Sequence, residues 1–205
     1  MKTFFLSLVF FCQFSASAQV EHTRQDILNA NEIIFFGYDF NHFSLADPRY
    51  INKPRANEYF FAWRNYWNKL KDEKYLERQL KKKNVVFDFD YTNSIMRNWE
   101  YDSVIFMACR YLPKDSLQGI INGYNLKRKE GIGFVVLVEC FEKSSKLSSG
   151  YFVFFNIADK KIIMANYLKS KDVGGTGLTA YWGCGFNETF RRYLEDVYPI
   201  EIKAK

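Results

Sequence analysis

The chain has 205 residues, of which 25% are charged and 19% aromatic, and it carries a formal charge of +6. That composition excludes disordered, collagen-like and low-complexity architectures. The length suits one domain whose core is large enough to fold without a metal or disulfides.

Met1–Ala18 has a basic start at Lys2, an apolar stretch from Phe4 to Phe14, and Ala16-Ser17-Ala18 before Gln19. These are the three parts of a secretory signal. The run is too short to span a bilayer, which takes roughly 20 apolar residues. Lipidation at Cys12 is rejected because Val9-Phe10-Phe11 lacks the small residues a lipoprotein peptidase needs. Export to the periplasm or the extracellular space is therefore expected, with residues 19–205 as a single domain. No later apolar run is long enough for a transmembrane segment in the mature chain.

Thr23–Ala30 reads as a short helix, and Glu32–Phe40 as a buried strand rich in Ile and Phe. Asn41–Pro54, with Pro48 and Pro54, reads as a loop. Asn57–Lys83 is the clearest helical region, with a break near Asp72. Its aromatic start, Tyr59, Trp63, Tyr66 and Trp67 at helical spacing, is expected to face the core. The run Lys81-Lys82-Lys83 reads as a solvated basic turn at the end of that helix. No nucleic-acid partner is expected, since the chain carries no binding module.

Val85–Tyr91 alternates as a strand, Ser103–Cys109 suggests another, and Pro113 with Asp115 and Ser116 starts a helix to about Tyr124. Gly133–Glu142, Gly150–Ala158 and Lys161–Leu168 read as a three-stranded antiparallel meander. Phe186–Val197 reads as a helix stopped by Pro199. The mixed order, without regular βαβ alternation, predicts an α+β fold: an antiparallel sheet ending in the meander and packed by helices.

Three local patterns carry candidate chemistry. Val85–Thr92 (VVFDFDYT) ends a strand in Asp-x-Asp-x-Thr and resembles the nucleophile motif of haloacid-dehalogenase-like phosphatases. The resemblance implies Asp88 as nucleophile, Asp90 as acid/base, and Mg²⁺ to balance phosphate charge. The simpler expectation is an edge strand with Phe87, Phe89 and Tyr91 on the core and Asp88 and Asp90 in water. Gly174, Gly175 and Gly177 precede Tyr181-Trp182; the segment lacks a P-loop ending and suggests an unusual backbone path beside a ligand surface. Asp39-x-x-His42 has acid–base spacing but no adjacent Ser or Cys nucleophile, so a capping or turn role is expected for Asp39.

Cys109, Cys140 and Cys184 follow the signal, an odd number that permits one intramolecular disulfide and leaves its pairing open. Their spacings form no zinc site.

Phe36-Gly37-Tyr38-Asp39-Phe40, Trp67-Asn68, Glu130-Gly131-Ile132-Gly133, Glu139 through Lys143, Phe154-Phe155-Asn156-Ile157, and Gly174-Gly175-Thr176-Gly177 with Tyr181-Trp182 occur in order across residues 32–182. Together they resemble an uncharacterised family of secreted proteins of Bacteroidetes-type Gram-negative bacteria. Asn156 stands where that pattern has Asp, and Gly183-Cys184-Gly185 replaces an Ala-led continuation. The resemblance implies export and an α+β domain, and it brings no activity. The leading expectation is a non-enzymatic exported protein that binds an envelope protein or a glycan and uses no cofactor or metal. Its contact residues would be Asp39, His42, Gly174, Gly175, Gly177, Tyr181 and Trp182. The alternative is a secreted Mg²⁺-dependent phosphatase-like hydrolase using Asp88 and Asp90.

Overall fold

A computed structural model describes residues 21–46, 54, 58–59, 61–63, 65, 72–95, 101–142, 144–170 and 178–204. The signal expected at Met1–Ala18 and the Gly174–Gly177 segment lie outside the described residues, as do Tyr66 and Trp67 of the aromatic stripe.

In chain order the elements are α1 (Arg24–Asn29), β1 (Glu32–Asp39), β2 (Ser44–Ala46), α2 (Glu73–Leu80) and β3 (Asn84–Phe87). Then come α3 (Asp90–Ile95), α4 (Tyr101–Val104), β4 (Ile105–Phe106), a 3₁₀ turn at Lys114–Ser116 and α5 (Leu117–Asn122). The strands β5 (Ile132–Glu142), β6 (Leu147–Asn156) and β7 (Ile162–Ser170) follow. The chain closes with α6 (Leu178–Arg192), a π-helical turn at Tyr193–Val197 and α7 (Tyr198–Glu201).

The antiparallel sheet expected from the sequence is corrected by the strand pairings. The strands form one seven-stranded sheet in which β1 pairs parallel with both β3 and β5, and β2 pairs parallel with both β5 and β4. Along its other edge β5 pairs antiparallel with β6, and β6 with β7. A strand's apolar pattern reports which faces are buried, whereas the direction of its neighbour is set by long crossovers that periodicity does not encode.

Other boundaries differ as well: β2 lies inside the expected Asn41–Pro54 loop, and α6 begins at Leu178, ahead of the expected Phe186. The expected strand Val85–Tyr91 stops at Phe87, and Asp90–Ile95 is helical. Ser103–Cys109 contributes only the two-residue β4, after a helical turn. Pro199 does not end the chain's last helix: it sits in the first turn of α7, where a missing N–H costs nothing.

Both sheet faces are covered, which follows from strands that are apolar on both sides. On one face Phe35, Tyr38, Phe134, Phe152 and Phe154 meet Phe186, Phe190 and Tyr193 from the C-terminal helices. The rings stack closely, with centroids 4.4 Å apart for Phe134–Phe154 and 4.2 Å for Phe152–Tyr193. Trp63 is fully buried in this same core. On the other face Ile34, Phe36, Val135, Leu137 and Phe155 lie under Leu117, Ile121 and Tyr124. Each such side chain contributes about 1.5–3 kcal/mol when fully buried.

The lysine run has a structural task that differs from the solvated turn expected. Asp72 caps α2 by accepting from the Tyr75 N–H at 2.6 Å, and Lys81 ends the helix in the left-handed region at φ +55°. Lys82 is then carried inward, where its ammonium donates to the carbonyl of Ile27 and, at 2.9 Å, to that of Leu28. It thereby satisfies carbonyls at the end of α1.

Candidate functional site

The geometry of the site begins with a bulge in β1. Its register against β5 shifts between Phe35 and Tyr38, and Gly37 lies there at φ +80°. The extra residue reverses the alternation: Phe35 and Tyr38 both enter the aromatic core, so Asp39 points to the opposite face, toward Tyr124. Glycine supplies the positive φ this requires.

Asp39 is 2% exposed, and both of its oxygens are engaged. Oδ2 accepts from the Tyr124 hydroxyl at 2.5 Å, and Oδ1 accepts from the Asn41 N–H at 2.7 Å. The second bond is the Asx turn expected from the sequence. Burial pushes the Asp39 carboxyl above its ordinary value, opposed by the two hydrogen bonds and by His42. Burial and the nearby Asp39 likewise hold Tyr124 protonated, well above the ordinary phenol value.

A second buried carboxylate lies at the second bulge, in β5 between Val138 and Cys140. Glu139 is fully buried, and it accepts from the Leu112 N–H at 2.6 Å, the Ser149 hydroxyl at 2.7 Å and the Tyr167 hydroxyl at 2.8 Å. Its neighbour Cys140 forms a disulfide with Cys109, with Cα atoms 5.7 Å apart. The Arg110 N–H donates to Ser44 Oγ at 3.1 Å, and the Leu112 carbonyl accepts from Tyr151 at 3.1 Å. Residues 109–112 are therefore fixed to β2, β5 and β6 by one covalent and three hydrogen bonds.

This fixed segment forms one wall of a groove of about 760 Å³. The lining also includes Asn41, His42 and Phe43 from the turn after β1. The groove thus lies past the carboxyl ends of β1 and β4, the position where sheets with parallel strands commonly bind ligands. Within the groove, Arg110 stacks its guanidinium 4.6 Å from the Phe106 ring centroid, and Tyr111 is 62% exposed.

Asp88 and Asp90 are elsewhere. They follow the carboxyl end of β3 and line a separate depression of about 520 Å³ with Tyr91, Ser94 and Lys127. Asp88 Oδ1 accepts from the Asp90 N–H at 3.3 Å, and Asp90 pairs with Lys127 at 2.5 Å. The hydrogen bond and charge of Lys127 hold the Asp90 carboxyl below its ordinary value. Phe87 and Phe89 pack on the aromatic core, while Tyr91, now on a helix, packs on Tyr124 across the sheet. Among the described residues no group of three or more His, Cys, Asp or Glu side chains is arranged to hold a metal ion.

Of the expected contact residues, His42 is in the lining of the groove, whereas Asp39 is buried and is not part of that lining. Gly174, Gly175 and Gly177 lie outside the described residues, and Tyr181 and Trp182 fall in the first turns of α6. The disulfide settles the pairing of Cys109 with Cys140, and Cys184 is half-buried on α6. Sequence reasoning missed Arg110, Tyr111 and Tyr124. A signal for Glu139 was present, since a carboxylate inside an otherwise apolar strand demands buried partners. No helix among the described residues is long and apolar enough to cross a membrane.

The chain matches no family model, and neither the curated proteins nor the solved structures contain a match.

Proposed function

We propose that this is an exported, non-enzymatic binding protein that captures a component of the cell envelope in the groove past β1 and β4. The observation that carries the reading is the rigid wall of that groove, held by the Cys109–Cys140 disulfide and the Glu139 hydrogen bonds. A preformed wall lowers the ordering cost of binding. The buried carboxylates support binding over catalysis, because Asp39 and Glu139 engage their oxygens inside the fold. Export is supported by the signal-like Met1–Ala18 and by a disulfide suited to an oxidising compartment. The glycine-rich segment with Tyr181 and Trp182 is the second part of the proposed contact surface.

The test is capture from native envelope extract by the mature protein, compared with His42→Ala and Trp182→Ala. Saturable capture lost in either variant, with folding intact, locates the surface. Capture that neither change weakens, or no capture at all, counts against the reading.

The position of Asp88 directly after a parallel strand favours one second reading, a Mg²⁺-dependent phosphatase. Phosphate-ester hydrolysis that requires Mg²⁺ and disappears in Asp88→Asn is its expected signature. Activity surviving that substitution eliminates the mechanism.

A further inference from the structure

We propose that the groove takes a carboxylate-bearing saccharide, with Arg110 meeting the carboxylate and Tyr111 the sugar ring. This deepens the binding-protein reading and rests on it. The Arg110 guanidinium lies over the Phe106 ring and has no ion pair or side-chain hydrogen bond among the described residues. Stacking engages the face of the guanidinium rather than its in-plane N–H donors, the donors with which a guanidinium meets a carboxylate through two parallel bonds. Its position is not left to a mobile loop, because Arg110 follows the crosslinked Cys109 and its own N–H is bound to Ser44.

The charge around it selects the ligand. No Asp or Glu is among the described residues lining the groove, so none of these side chains repels an incoming anion. The described lining holds one guanidinium, at Arg110, and one imidazole, at His42, a set that matches a single negative charge better than a phosphate dianion. The remaining lining mixes rings with hydroxyls: Tyr111 is largely exposed, and the Ser116 hydroxyl, which donates to the Pro113 carbonyl, keeps its oxygen as an acceptor. Aromatic faces pack against the C–H faces of a pyranose while hydroxyls pair with its polar edge, whereas a purely apolar ligand would desolvate Arg110 without compensation.

Calorimetry of the mature, disulfide-intact protein with a panel of uronate oligosaccharides tests this, with their methyl esters and inorganic phosphate as controls. Binding of at least one uronate is expected, weakened about tenfold or more by esterification and equally by Arg110→Gln. The variant should keep the wild-type melting temperature, since the guanidinium is exposed and the backbone bond to Ser44 remains. Esters that bind as well as the acids, or an Arg110→Gln protein with unchanged affinity, overturn the assignment. Phosphate displacing the saccharide at equal concentration overturns the carboxylate preference. Failure of the whole panel overturns the saccharide, and if envelope capture still depends on His42 the binding reading stands without it.

Discussion

Asp39 shows how one residue type takes its role from its surroundings. Its buried carboxyl has a raised folded-state value, against 3.8 ordinarily, with burial as the first cause. The folded protein therefore holds this proton more tightly than the unfolded chain does. Its contribution to stability is fully present below pH 3.8 and is lost as pH rises through the raised folded value. Asn at this position keeps an acceptor for the Asn41 N–H and an amide for the Tyr124 hydroxyl, without a titrating charge. Denaturation of wild type and Asp39→Asn at a series of pH values should show wild type losing ground to the variant as pH increases. A difference that is flat or runs the other way refutes the assignment. Lys82 is the converse case, a buried cation satisfied by two carbonyls at the end of α1. Lys82→Met leaves those carbonyls unpaired and should cost about 1–3 kcal/mol in denaturant titrations. A neutral result would mean that water replaces the ammonium.

At the scale of elements, two bulges and one crosslink decide where the polar groups go. Gly37 permits the register shift that turns Asp39 away from the aromatic core. Gly37→Val forces a β-branched residue to φ +80° and should destabilise the domain by about 1–3 kcal/mol. Loss of the Tyr124–Asp39 bond should accompany it, visible as a change in tyrosine absorbance. The disulfide joins residues separated by 31 positions, and closing such a loop stabilises by roughly 3–4 kcal/mol in the chain-entropy account. Cys109→Ser with Cys140→Ser should lower the unfolding midpoint accordingly and weaken capture at the groove as well. Capture that survives unchanged would show that the Glu139 hydrogen bonds alone hold the wall. Glu139 itself was visible as an anomaly within Gly133–Glu142, but its partners at Leu112, Ser149 and Tyr167 were not. They come from three separated segments, and no spacing rule connects them.

Across the whole molecule, the apolar runs determined which segments are buried. Glu32–Phe40 reads as a strand apolar on both sides, and β1 is indeed covered on both faces. Such a run is also the signature of a strand with helices above and below it, the usual setting of parallel pairing. The short, turn-rich gaps between β5, β6 and β7 were equally legible, because antiparallel neighbours need only a few residues to reverse direction. Local chemistry thus reported burial, turns and the Asx role of Asp39 directly from the residues. What only the tertiary structure decided is which distant segments meet. The crossovers that lay β3 and β5 alongside β1 span tens of residues, and a bulge of one residue selects the face that Asp39 occupies. The groove is made by the turn after β1 and the segment after β4, more than sixty positions apart along the chain. Side-chain periodicity carries no record of such long-range closure, so Arg110 and His42 became neighbours of one cavity only once the sheet was assembled.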